Sequence, residues 1–166
     1  MSDISFFVNT EKYFDIALVD MVLRLCAATV IGMLIGLNRD VNDKPMGMRT
    51  LALVSLGAAV VAVVAVHFEN LVDHPDALSR VVQGVLQGVL TGIGFIGAGV
   101  ILRQPRNKSV YGLTTAATVW IAAALGIACA LAAWHVVAIA SILTFVVLVP
   151  MKGLEMRLVK LFSRPD

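Results

Sequence analysis

The chain has 166 residues, 59% of them apolar and 14% charged, a formal net charge of +2 and a mean hydropathy of +0.90. Soluble domains carry about 25% charged residues, so the composition excludes an ordinary water-soluble globule; the small net charge says little, and no nucleic-acid partner is expected. The charges are also segregated. No Asp, Glu, Lys or Arg falls between Val81 and Leu102 or from Leu113 to Val149, and such runs can cross a bilayer, which takes about 20 apolar residues.

Residues 1–15 carry Asp3, Glu11 and Asp15 with the single base Lys12, where a signal peptide would have a basic start. Phe6, Phe7, Tyr13 and Phe14 suit an external, interfacial anchor. Spans follow at Ile16–Leu37, Thr50–Phe68, Val81–Leu102, Leu113 to about Ala132, and His135–Val149. The last two come from one apolar run of 37 residues. As a single helix that run would measure about 55 Å against a hydrocarbon core of about 30 Å, so it must fold back. The amphipathic rings of Trp134 and His135 place the reversal there.

Basic residues set the direction. Arg39, Lys44 and Arg49 lie in one loop, Arg103, Arg106 and Lys108 in another, and Lys152, Arg157, Lys160 and Arg164 in the tail, so ten of the thirteen bases share a face. The positive-inside rule makes that face cytoplasmic and the N-terminus external. The fold class expected is an all-α membrane protein, a five-transmembrane-helix bundle over residues 16–149. Residues 150–166 follow as a cytoplasmic amphipathic tail, with Met151, Leu154, Leu158, Leu161 and Phe162 at helical spacing.

Within the spans, Gly92-Ile-Gly-Phe-Ile-Gly97 matches G-x-G-x-x-G. A dinucleotide site needs a preceding strand and an acid about 20 residues on, and this stretch has neither, so the match is accidental. Close helix packing is the better reading. Gly84, Gly88 and Gly92 recur every four residues on the third span and Gly32 and Gly36 on the first, which makes the two ridges a plausible pair. Gly94, Gly97 and Gly99 add to the ridge; packing is favoured over a functional break there, each glycine weakening a helix by about 1 kcal/mol relative to Ala in water.

Gln83, Gln87 and Thr91 form a polar stripe beside the glycines. In hydrocarbon such groups need partners, so interhelical hydrogen bonds are expected ahead of a wet path. Arg24 falls only about 5 Å from the middle of the first span, with Asp20 four residues earlier. That acid-first spacing allows an ion pair, and a structural and a functional role stay equally open. Cys26 and Cys129 read as small packing residues. His67, His74 and His135 lack ligand spacing, and no catalytic constellation assembles. The chain is therefore read as a non-enzyme without metal or cofactor.

Several blocks in order carry a resemblance: Leu23-Arg-Leu, Ile31-Gly-Met-Leu-Ile-Gly-Leu-Asn-Arg39, Gly47-Met-Arg-Thr-Leu-Ala-Leu-Val54, Gln87-Gly-Val-Leu-Thr-Gly-Ile-Gly-Phe-Ile-Gly-Ala-Gly-Val-Ile101, and Gly112-Leu-Thr-Thr-Ala-Ala-Thr-Val-Trp120. Over most of its length the chain resembles the MgtC/SapB family of bacterial inner-membrane proteins. It departs from the family pattern at Asn38, where relatives usually carry an acid, and the cytoplasmic domain into which many members continue is not expected from these residues. The resemblance implies a periplasmic N-terminus and a regulator of membrane machinery, such as ATP synthase, that supports adaptation to low magnesium, acid or host stress. Membrane lipid, further copies of the chain or other membrane proteins are the partners implied.

The functional candidates are Asp20, Arg24, Arg39, Arg49, Thr50, Gln87, Thr91, Thr114 and Thr115. Arg39, Arg49 and Arg103 could together offer a docking or anionic-lipid surface. Magnesium transport is the competing function. Asp20 is the sole acid in any span, and a charge such as Arg24 would repel a dication at 6 Å by about 5 kcal/mol at an effective dielectric of 20, which disfavours a pore within one copy. An oligomer could still gather Asp20 or Gln87 in a ring.

Overall fold

The computed structural model describes residues 2–66, 75–102 and 111–150. It contains five helices: α1 Ser2–Asp40, α2 Met48–Val66, α3 Pro75–Leu102, α4 Leu113–Ala130 and α5 Trp134–Leu148. Long uncharged runs close their own backbone hydrogen bonds as helix, which is what a lipid solvent demands of a spanning segment. The loop bases Arg103, Arg106 and Lys108, the histidines His67 and His74, and the amphipathic tail after Pro150 lie outside the described residues.

Four stretches are long and apolar enough to cross a membrane: Ala17–Asp40, Met48–Val66, Ser79–Ile101 and Leu113–Ala130. The 15 residues of α5 have the composition but reach only about 22 Å. The segment 2–15 continues α1 as helix, so α1 has 39 residues and extends well past a single span.

The reversal between α4 and α5 sits at Leu131–Ala133, just ahead of the position that the aromatic rings suggest. Ala132 takes a left-handed conformation (φ 53°). The Ala132 N–H then donates to Cys129 O and the Ala133 N–H to Ala128 O, both at 3.0 Å. This is a Schellman end, which satisfies carbonyls that would otherwise be orphaned at the close of α4.

The core is a three-helix contact of α1, α2 and α4 made largely from small side chains. Ala28, Ala59, Ala122, Ala123 and Cys129 have no exposed surface, and neither do Ile35, Leu51 and Val119. Lipid gives little hydrophobic drive between helices, so close backbone approach does the holding. A Cβ on Gly32 would stand 2.5 Å from Leu51 O, and one on Gly126 would stand 2.2 Å from Ser55 O. Ser55 Oγ reaches α1, donating to Ala28 O at 2.8 Å.

The expected pairing of glycine ridges does not form. Gly32 and Gly36 face the backbone of α2, Gly36 having Met48 Cα 2.4 Å from where its Cβ would be. Helix α3 packs on α4 and α2 and makes no contact with α1 among the described residues. The reason is positional: α4 and α2 already cover the small face of α1. Gly84, Gly88, Gly92, Gly94 and Gly99 meet no atom within 4 Å, and only Gly97 touches α4, at Ala116 Cβ 3.4 Å away. Helix α3 also runs unbroken through Gly94–Gly99.

Candidate functional site

Two arginines of α1 bracket α4. At one end, Arg24 Nη2 lies 2.5 Å from Asp20 Oδ2, the pair that the i, i+4 spacing allows. Arg24 Nη1 also donates to Ala130 O at 2.9 Å. Ala130 is the last residue of α4, so the guanidinium caps a helix C-terminus, where a cation is favoured by the helix dipole. Arg24 is therefore level with the end of α4. The Asp20 carboxylate remains half exposed, at 47%.

Because Arg24 holds both Asp20 and a helix end, Arg24→Ala should destabilise the bundle more than Asp20→Ala does, by about 2 kcal/mol for the lost charged hydrogen bond. Thermal unfolding of the two variants in the same detergent measures the difference. Equal losses would mean that the Ala130 contact contributes nothing.

At the other end, Arg39 is fully buried, although its place in a short basic stretch reads as a surface charge. Its Nη2 donates to Thr115 Oγ1 in the first turn of α4 and to Pro45 O at 3.2 Å. Nε and Nη1 are buried without a hydrogen-bond partner. The signal that locates it is periodicity: Ala28, Gly32, Ile35 and Arg39 fall on one helical face, and the first three are the face that α2 and α4 cover. Arg39 therefore drops out of the basic surface expected of Arg39, Arg49 and Arg103.

The loop that follows is built around Asp40. Its Oδ2 accepts from the Met48 N–H at 2.8 Å and so caps the start of α2. A Cβ on Gly47 would overlap the Asp40 carboxylate, at 1.7 Å from Oδ1. Asn38 accepts a bond from Asn42 Nδ2, 2.7 Å from its carbonyl oxygen.

The remaining candidates are dispersed. Arg49 and Thr50 are exposed at the start of α2, beside a groove against α3. Thr114 faces a separate cleft between α4 and α5. Gln87 and Thr91 lie on the open side of α3 with Gln83. Thr91 Oγ1 bonds only to its own helix, at Gln87 O 2.7 Å away, so the stripe makes none of the expected interhelical bonds among the described residues. Cys26 is exposed and Cys129 buried, both as free thiols. Among the described residues, no three His, Cys, Asp or Glu side chains converge in a way that could hold a metal.

This arrangement of four long apolar helices, with an arginine of α1 at each end of α4, accompanies a clear set of relatives. The profile of the MgtC family matches residues 25–157. The chain is 41% identical to Protein SrpB of Synechococcus elongatus over 80% of its own length and 75% of that protein. It is 39% identical to Protein SapB of Bacillus subtilis over 66% of its length. With Protein MgtC of Salmonella typhimurium it shares 41% identity, also over 66% of its length. The match spans less than half of the last two, 47% of SapB and 43% of MgtC. No solved structure matches. With a family profile covering most of its residues and helices fit to cross a bilayer several times, this chain is a multi-pass membrane protein and belongs to the MgtC family.

Proposed function

We propose that this chain is a non-enzymatic regulator in the bacterial inner membrane, with its N-terminus periplasmic and its C-terminus cytoplasmic, and that it acts by docking a transmembrane helix of other membrane machinery on the outward face of α3. The observation that carries this reading is the state of that face. Only 11% of the apolar stretch of α3 is buried within the chain, against 56% for α4. The open face carries Gly84 and Gly88, which leave room for a neighbouring backbone, and Gln83 and Gln87, whose amides have no hydrogen-bond partner among the described residues. Amides in hydrocarbon gain from a partner helix, and a glycine ridge lets its backbone come close. The family resemblance supplies the setting, adaptation to low magnesium, acid or host stress.

Leucine at Gly88 fills only open space. Gly88→Leu should therefore leave the protein inserted and folded while abolishing growth at low magnesium. Normal growth of a strain carrying the inserted variant would sink the docking reading.

Ion transport is the second reading, kept because Gln87 faces outward, where a symmetric oligomer could assemble a ring of amides. The Asp20 carboxylate, which such a pathway would need, is held by Arg24. Liposomes containing the purified protein should consequently stay silent under a magnesium gradient. A flux that Asp20→Asn alters would establish transport in place of regulation.

A further inference from the structure

The groove between α2 and α3 has about 600 Å³ of space and is lined almost wholly by apolar side chains. One wall is α2 from Arg49 to Val61 and the other is α3 from Val89 to Ile96, running antiparallel. Gly57 and Gly92 stand in opposite walls, and a side chain on either would meet no atom within 4 Å, so the groove is open at that level. From Arg49 to Val61 the rise is about 18 Å, close to the depth of one leaflet, which is about 15 Å or half of the hydrocarbon core.

The mouth of the groove is chemically distinct from its length. Arg49 and Thr50 lie in the first turn of α2, where outward-pointing backbone N–H groups favour an anion. Arg49 is exposed and has neither an ion pair nor a side-chain hydrogen bond among the described residues. Among the described residues no acid lines the groove, and the nearby Asp40 carboxylate accepts from the Met48 N–H. A ligand for this site has a negatively charged oxygen group at one end and an acyl chain at the other.

We propose that the α2–α3 groove binds one anionic phospholipid, with its phosphate at Arg49 and Thr50 and one acyl chain lying along Leu53, Gly57 and Gly92. An apolar groove on a membrane protein receives some lipid chain in any case; the selectivity comes from the Arg49 cation at the mouth, which has no ion pair among the described residues and is free to hold a phosphate. The site is separate from the outward face of α3 and stands whether or not a partner helix docks there.

The test uses the full chain, delipidated in detergent, with dioleoyl phosphatidylglycerol or dioleoyl phosphatidylcholine added back. Thermal unfolding and native mass spectrometry provide the readouts. Phosphatidylglycerol should bind one per chain, more tightly than phosphatidylcholine, and raise the unfolding temperature further. Arg49→Gln should weaken phosphatidylglycerol about fivefold and leave phosphatidylcholine unchanged. Gly57→Leu, which fills the groove, should weaken both lipids while helical content by circular dichroism is retained. Gly88→Leu should change neither.

Equal affinity of the wild type for the two lipids would overturn the proposal, as would an Arg49→Gln variant that keeps the preference. Inorganic phosphate that stabilises the protein as well as the lipid does would show that the acyl groove plays no part, and would also overturn it. Because Arg49 is exposed, its variant tests the idea even where Gly57→Leu fails to fold.

Discussion

Alanine at Gly32, Gly36 or Gly126 should disrupt the α1–α2–α4 core, whereas alanine at Gly84 or Gly88 should leave it intact or strengthen it. The two sets differ in what a new methyl group meets. At Gly32, Gly36 and Gly126 it would stand 2.2–2.5 Å from backbone atoms of α2, which cannot rotate out of the way as a side-chain tip can. Overpacking of this kind costs about 1–3 kcal/mol or more, and separating two helices also forfeits the neighbouring contacts. The better helix propensity of Ala returns only about 1 kcal/mol, so the clash wins. At Gly84 and Gly88 there is open space, and propensity alone decides the sign. Thermal denaturation of the five variants in one detergent measures the contrast. Similar losses in both groups would mean that α3 packs inside the bundle and that its open face is wrongly placed.

The second large effect concerns Arg39. Arg39→Ala should cost about 3 kcal/mol, because it empties the volume of a fully buried long side chain and removes the bonds to Pro45 O and Thr115 Oγ1. Arg39→Met should cost less than Arg39→Ala. It refills the volume without burying a cation whose Nε and Nη1 have no acceptor. In the Arg39→Ala background, Thr115→Val should add little, since the hydroxyl has already lost its donor. Unfolding of the three variants in detergent, each against the unaltered protein, gives these values. A methionine variant weaker than the alanine variant would show that the site does not accommodate an apolar side chain of that length, and would overturn the expectation.

Hydropathy alone made much of this architecture legible. The uncharged runs marked where α3 and α4 lie, and α2 begins within two residues of the span read from composition. The Asp20–Arg24 pair was legible too, because i, i+4 spacing on a helix is a local geometric fact. The turn before α5 was harder. Its left-handed residue is Ala132, with none of the Gly or Asn that ordinarily announces such an end.

Which faces meet was decided only by the tertiary structure. Lipid tails are as apolar as leucine, so hydropathy that reports entry into the membrane cannot tell an inward face from an outward one. The glycines of α1 and α3 have the same four-residue spacing, yet the first set lies against α2 and most of the second is open. Arg39 sits in a basic stretch that the positive-inside rule counts as surface, and the approach of α4 buries it against Thr115. Chain composition determines that these helices reside in a bilayer and roughly how far α4 and α5 extend, while α1 runs on through residues that composition reads as an external segment. Their partners depend on which backbones can approach within a few ångströms, a distance between helices that no local pattern encodes.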